Sequence, residues 1–159
     1  MEKKIFAETG GQPDLEGQDY IVGRLLKPEA RKDIVEFFAE QEIVPTSMID
    51  ISDGLSSEIL HICKQSSLGC VLYEDKIPVY EDARQFAYKL ELDPTACALS
   101  GGEDYELLFT IRQSDFEKLK NHPDIHFIGH IHDNPAQNVM VSKQGTVVPI
   151  KAQGWNHFR

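Results

Sequence analysis

Two carboxylates, Asp50 and Asp53, flank one hydroxyl, Ser52, in SMIDISDGLSSEIL (residues 47–60), where an apolar run stops and a helical pattern begins. A strand end that runs into a helix start offers unpaired backbone N–H groups, and these attract anions. Carboxylates beside them repel a phosphate unless a cation stands between. Mg²⁺, a hard ion that takes carboxylate and phosphate oxygens together, suits such a place. Gly54 allows close backbone approach to a ligand, at a cost of about 0.5–1 kcal/mol relative to alanine. The same residues also read as an ordinary helix start, with Asp53 as the cap and Asp50 as a polar strand end. On this stretch alone both readings stand.

A second acid-bearing segment is SGGEDYELLF (residues 100–109). Two glycines follow an apolar stretch read as a strand, and the tight turn they form projects Glu103 and Asp104 from its tip. It is neither a GxxxxGK[ST] phosphate loop nor a dinucleotide fingerprint. Near the C-terminus, GWNHF (154–158) places Trp155 and Phe158 in polar surroundings. Such aromatics either pack back on the domain or stack on a planar ligand, gaining about 0.5–1.5 kcal/mol beyond burial. His126, His130 and His132 lie close in sequence, but no HExxH, neighbouring cysteine or third ligand accompanies them. They read as solvent-facing or hydrogen-bonded strand histidines. Cys63, Cys70 and Cys97 are odd in number with no CxxC spacing, which predicts reduced, buried thiols.

The elements that must position these residues follow from periodicity. Residues 1–27 scatter Gly, Pro and acids without a repeat and predict an irregular lead-in. Pro28 is expected to open a helix whose inner side carries Ile34, Val35, Phe37 and Phe38. SMIDI (47–51) predicts a buried strand. Leu55, Ile59, Ile62 and Cys63 then fall at helical spacing up to a close near Gly69. A strand at 70–75, a helix at 81–92 and a strand ending at 111 come next. SDFEKLKNH predicts a short helix capped by Ser114, with Phe116 and Leu119 inward. IHFIGHI, NVMVS and TVVPI predict three strands, the last two joined by a KQG turn. Alternation of strands and helices followed by an antiparallel pair predicts an α/β (α+β) two-layer domain. Its mixed β-sheet should carry helices mainly on one face.

Composition bounds what this domain can do. The 159 residues are enough for one domain with a real core, and 41% are hydrophobic against 26% charged. Twenty-six Asp and Glu against 16 Lys and Arg leave a formal charge of −10, which disfavours nucleic acid as a partner. No apolar run reaches the ~20 residues of a membrane helix. The polar N-terminus has no apolar signal-peptide core, so no membrane partner and a cytoplasmic location are expected.

Taken together, MIDISDGLSSEI, ALSGGEDYELLFT and the terminal GWNHF resemble thiamine-monophosphate kinase, in the order and spacing of that family's C-terminal half. The likeness runs through most of residues 20–159, including RLLKPEARKDI. It implies transfer of the γ-phosphate of ATP to thiamine monophosphate, giving thiamine diphosphate, with Mg²⁺ as cofactor. It also implies the fold of the C-terminal domain of the aminoimidazole ribonucleotide synthetase superfamily. Carried over by position, Asp50 and Asp53 bind Mg²⁺, Ser52 contacts ATP, and Glu103 binds the substrate. Trp155 or Phe158 would enclose the thiamine rings. No catalytic base is expected, because phosphoryl transfer rests on positioning and charge neutralisation. Glu103 would also match the cationic thiazolium as a counter-charge. The family's longer chains carry the other metal-binding aspartates, most nucleotide contacts and most of the homodimer interface in their N-terminal half. The expected organisation is an interdomain lead-in over 1–27 and a C-terminal domain over 28–159. The nucleotide-binding N-terminal domain would be absent from this chain, and the chain would be inactive by itself. Two alternatives accompany this reading: another ATP-using member of the superfamily, or a freestanding, non-catalytic ligand-binding module.

Overall fold

The computed structural model describes residues 16–17 and 19–152. Its elements run α1 (Asp19–Leu26), α2 (Lys32–Glu40), β1 (Ser47–Asp50), α3 (Leu55–Ser66), β2 (Gly69–Tyr73), α4 (Glu81–Lys89) and α5 (Pro94–Ser100). Then come β3 (Leu107–Thr110), α6 (Phe116–Leu119), β4 (Gly129–His132), β5 (Asn138–Val141) and β6 (Val147–Pro149). Short 3₁₀ turns occupy Glu74–Lys76 and Gln113–Asp115.

The expected mixed α/β architecture is present, with its strands divided between two ladders. One is a four-stranded sheet in the order β4-β2-β5-β6, where β2 runs antiparallel to β4 and parallel to β5, and β5 antiparallel to β6. The other is an antiparallel pair, β1 with β3, in register from Ser47↔Thr110 to Asp50↔Leu107. Helix α3 packs on both ladders and on α5. Its Leu55, Ile59, Ile62 and Cys63 form one core with Cys70 and Leu72 of β2, Leu108 of β3 and Ile77. Each aliphatic side chain so buried contributes about 1.5–3 kcal/mol. A second core gathers Ile34 and Phe38 of α2 with Ile43, Leu119 and Ile125. Phe38 meets Phe109 edge-on at 4.9 Å, tying this core to β3.

Several expected elements shift for identifiable reasons. The lead-in is not irregular throughout: α1 forms there, held by Tyr20 against Tyr80 (5.6 Å) and Arg24 against Glu106 rather than by burial. Helix α2 starts at Lys32, not at Pro28, because Arg31 bonds Asp33 and Glu106 from a non-helical backbone. Within α2 only Ile34 and Phe38 are buried, while Val35 faces solvent. ACALS is helical, not a strand: Asp93 accepts from the Ala96 N–H at 2.7 Å and Pro94 occupies the first turn. Ser114 caps nothing, since it lies inside the 3₁₀ turn that leads into α6. Of the two inward residues expected there, Leu119 is buried and Phe116 is exposed, resting on Phe127.

All three cysteines are free, Cys63 and Cys70 fully buried, and burial pushes the Cys70 thiol up to about 12. His130 is exposed and lies 3.5 Å from the Tyr73 hydroxyl, while His132 Nδ1 accepts from the Asn134 N–H. No helix among the described residues is long and apolar enough to cross a membrane.

Candidate functional site

Strand β1 alternates: Ser47 and Ile49 turn inward, whereas Met48 and Asp50 are exposed. A period of two therefore delivers the Asp50 carboxylate to solvent at the strand's end. Beyond it the chain stays paired. The Ile51 N–H donates to Glu106 O at 2.8 Å, the Tyr105 N–H to Ile51 O at 2.9 Å, and the Glu103 N–H to Ser52 O at 2.8 Å. Those three bonds lace residues 51–52 to residues 103–106, so the two acid-bearing segments, far apart in sequence, are one structure.

Glycine is required on the second segment. A Cβ built on Gly102 would lie 2.2 Å from Ser52 O, well inside contact distance. On either side of Asp104, Glu103 (φ 70°) and Tyr105 (φ 52°) hold left-handed backbone, a conformation that costs roughly 1–2 kcal/mol per non-glycine residue. Strain of this kind concentrates where function constrains a loop.

The first segment is anchored from below. Gly54, at φ 105°, is the N-cap of α3, and a Cβ there would meet Leu99 O at 2.8 Å. Asp53 therefore precedes the cap and does not form it, so the helix-cap reading of its carboxylate falls. Instead the buried carboxylate of Glu58 accepts from the Asp53 N–H at 3.0 Å and from Ser52 Oγ at 3.4 Å. Asp50, Asp53 and Glu103 are exposed, and Ser52 is half-buried. The structure thus brings Asp50, Ser52, Asp53 and Glu103 to one locality. Trp155 and Phe158 lie outside the described residues.

A charged cluster borders this locality. Arg24 pairs with Glu106 and donates to Asp104 O at 3.3 Å. Arg31 reaches Asp33 at 2.8 Å, Glu106 at 2.9 Å and Asp124 at 3.4 Å, and its bonds to Asp33 and then Glu106 raise its already high pKa against the opposing effect of burial. Although Asp104 has surface in contact with solvent, the protein packed around its carboxyl and the nearby Glu106 push it up to about 6, with Arg24 opposing. Arg24, Arg31, Glu103, Asp104 and Glu106 share one hollow whose wall is otherwise made largely of core residues such as Leu55, Ile59 and Leu72. Asp50, Ser52 and Asp53 do not line it.

Sequence reasoning missed Glu58, Arg24, Arg31 and Glu106. The signal for Glu58 is its position, since Leu55, Glu58, Ile59 and Ile62 share one helix face and an acid stands among apolar residues. For Mg²⁺, the donor set is two exposed carboxylates. Among the described residues no three His, Cys, Asp or Glu side chains converge on a common point. Mg²⁺ is commonly held by one or two carboxylates and completed by phosphate oxygens and water, so two exposed carboxylates are a donor set it could use.

No family model matches the sequence. Among curated proteins, the thiamine-monophosphate kinase of Pyrococcus horikoshii is 34% identical over 113 residues, covering 71% of this chain and 34% of that protein. The thiamine-monophosphate kinase of Bacillus subtilis is 28% identical over 160 residues, covering 98% of this chain and 47% of its own. The solved structure of AaThiL complexed with AMPPCP and TMP superposes with a TM-score of 0.74 at 27% identity, over 98% of this chain and 46% of that one. The chain spans less than half the length of these proteins.

Proposed function

Because this chain is a relative of the thiamine-monophosphate kinases, matching less than half of their length, we propose that it supplies one side of a phosphoryl-transfer site. That site would move the γ-phosphate of ATP to thiamine monophosphate. The observation that carries this reading is the backbone lacing of DISDG to SGGED, chiefly the 2.8 Å bond from the Glu103 N–H to Ser52 O. It holds Ser52 and Asp53 beside Glu103, and the reading takes Asp50 and Asp53 for the metal and Glu103 for a cationic substrate. The AaThiL structure, which holds AMPPCP and TMP, supports the same pair of ligands.

In this mechanism Asp50 and Asp53 would hold Mg²⁺, which would supply charge neutralisation at the phosphates. Ser52 contacts ATP. Glu103 sits opposite the thiazolium, and Trp155 or Phe158 covers the rings. None of these residues needs to act as a base, since alignment and charge neutralisation do the work. The remaining metal ligands, and the homodimer interface, belong to the part of the kinase that this chain does not match. The 159 residues by themselves should therefore bind nucleotide weakly and turn over negligibly.

An NMR titration of the chain with Mg²⁺ and AMPPCP tests this reading. Amide shifts confined to residues 50–54 and 102–105, absent in Asp53→Asn, are expected. Shifts elsewhere, or none at millimolar ligand, would overturn it.

A further inference from the structure

The structure assigns Glu58 as a positioning residue for the metal side of the site, holding Ser52 and Asp53 in place by accepting hydrogen bonds from both. This inference rests on the reading of Asp50 and Asp53 as Mg²⁺ ligands. Asp53 lies one residue before the N-cap, so its N–H falls outside the helical hydrogen-bond ladder and needs an acceptor of its own. Glu58 supplies it at 3.0 Å from the buried face of α3, where its side chain has almost no solvent contact. A buried carboxylate is costly unless paired or hydrogen-bonded, so its bonds upward to the loop are obligatory for both partners.

The consequence for the site is directional. With its backbone N–H fixed from below, Asp53 extends its exposed carboxylate outward from a defined point. The Ser52 hydroxyl, 3.4 Å from the same Glu58 oxygen, donates its proton inward and leaves its lone pairs free to accept from a hydroxyl or amino group of the nucleotide or to face a cation. Partners that orient ligands in this way typically govern metal affinity about 10–100-fold. The favourable placement of an acid in the first turn of a helix adds stability but would not by itself affect metal binding.

The test is Mn²⁺ binding to the chain, followed by the electron paramagnetic resonance of the free ion, alongside hydrogen exchange of the Asp53 amide and denaturation. Asp53→Asn should abolish the site. Glu58→Ala should weaken Mn²⁺ about 10-fold and speed exchange at Asp53, whereas Glu58→Gln, which keeps an acceptor oxygen, should stay within about twofold of wild type. If Glu58→Ala does not fold, Glu58→Asp, too short to reach the loop, serves under the same criterion. A folded Glu58→Ala with wild-type Mn²⁺ affinity, while Asp53→Asn has lost it, overturns the role of Glu58 and leaves the metal reading intact. Weakened binding without faster exchange at Asp53, or a Glu58→Gln as weak as Glu58→Ala, also overturns it. Wild-type affinity in Asp53→Asn defeats the metal reading itself.

Discussion

Replacing Gly102 by alanine should damage the site more than its small size suggests. The added Cβ would sit 2.2 Å from Ser52 O, 3.2 Å from Ser52 C and 3.3 Å from the Asp53 Cα. All three neighbours are backbone, so no side chain can swing aside, and the segments must part by about 1 Å to reach ordinary contact near 3.4 Å. That separation breaks the 2.8 Å bond from the Glu103 N–H to Ser52 O. The lost bond costs about 1 kcal/mol and the forced displacement about 1–3 kcal/mol, giving about 2–4 kcal/mol in all. For a domain of this size the melting temperature should fall by about 5–15 °C. Gly23→Ala is the control: it lies within α1 with nothing within 4 Å of its would-be Cβ, and should be neutral or slightly stabilising. Urea denaturation measures both variants, and the Mg²⁺–AMPPCP titration should lose its shifts in Gly102→Ala alone. A Gly102→Ala chain within about 0.5 kcal/mol of wild type, with shifts preserved, would refute the claim that these backbones lock together.

Asp104 carries a pH signature. Its pKa stands at about 6 in the folded chain against an ordinary 3.8, so the folded state holds the proton more tightly. Its contribution to stability is therefore present below pH 3.8 and is lost as pH rises through about 6. Asp104→Asn should gain stability over wild type above pH 6, with the gap closing toward pH 4, as denaturation midpoints at several pH values will report. Arg31→Ala should cost about 2 kcal/mol, since one half-buried guanidinium serves three carboxylates. Arg31→Lys should recover only part of that loss, because an ammonium lacks the fork that engages Asp33 and Glu106 together, and denaturation of the two variants side by side checks both expectations.

Much of this fold was legible where short-range pattern and tertiary packing agree. The apolar run SMIDI, the helical spacing of Leu55, Ile59, Ile62 and Cys63, and the KQG turn all point to elements that form, although β1 is half-buried with Met48 exposed rather than buried throughout. The pairing of DISDGL with SGGEDYELL was also legible, though only through resemblance, because neither segment by itself exceeds a cap or a turn. What sequence concealed has physical causes. ACALS is too short for periodicity to separate strand from helix, and the Asp93–Pro94 start signal decides it. Helix α1 buries none of its residues, so it shows no apolar stripe to read, and its anchors at Tyr80 and Glu106 are distant in sequence. Glu58 was hidden because an acid in the first turn of a helix is common, and only its burial marks it out.

The most direct test grafts this chain in place of the matching segment of the Bacillus subtilis kinase, to which 98% of it aligns. The remainder of that enzyme then supplies the part that this chain does not match. Formation of thiamine diphosphate from ATP and thiamine monophosphate should follow, falling about 100-fold or more in Asp53→Asn and Glu103→Gln while both variants stay folded. A folded graft that forms no thiamine diphosphate, or one whose rate ignores both substitutions, would contradict the account.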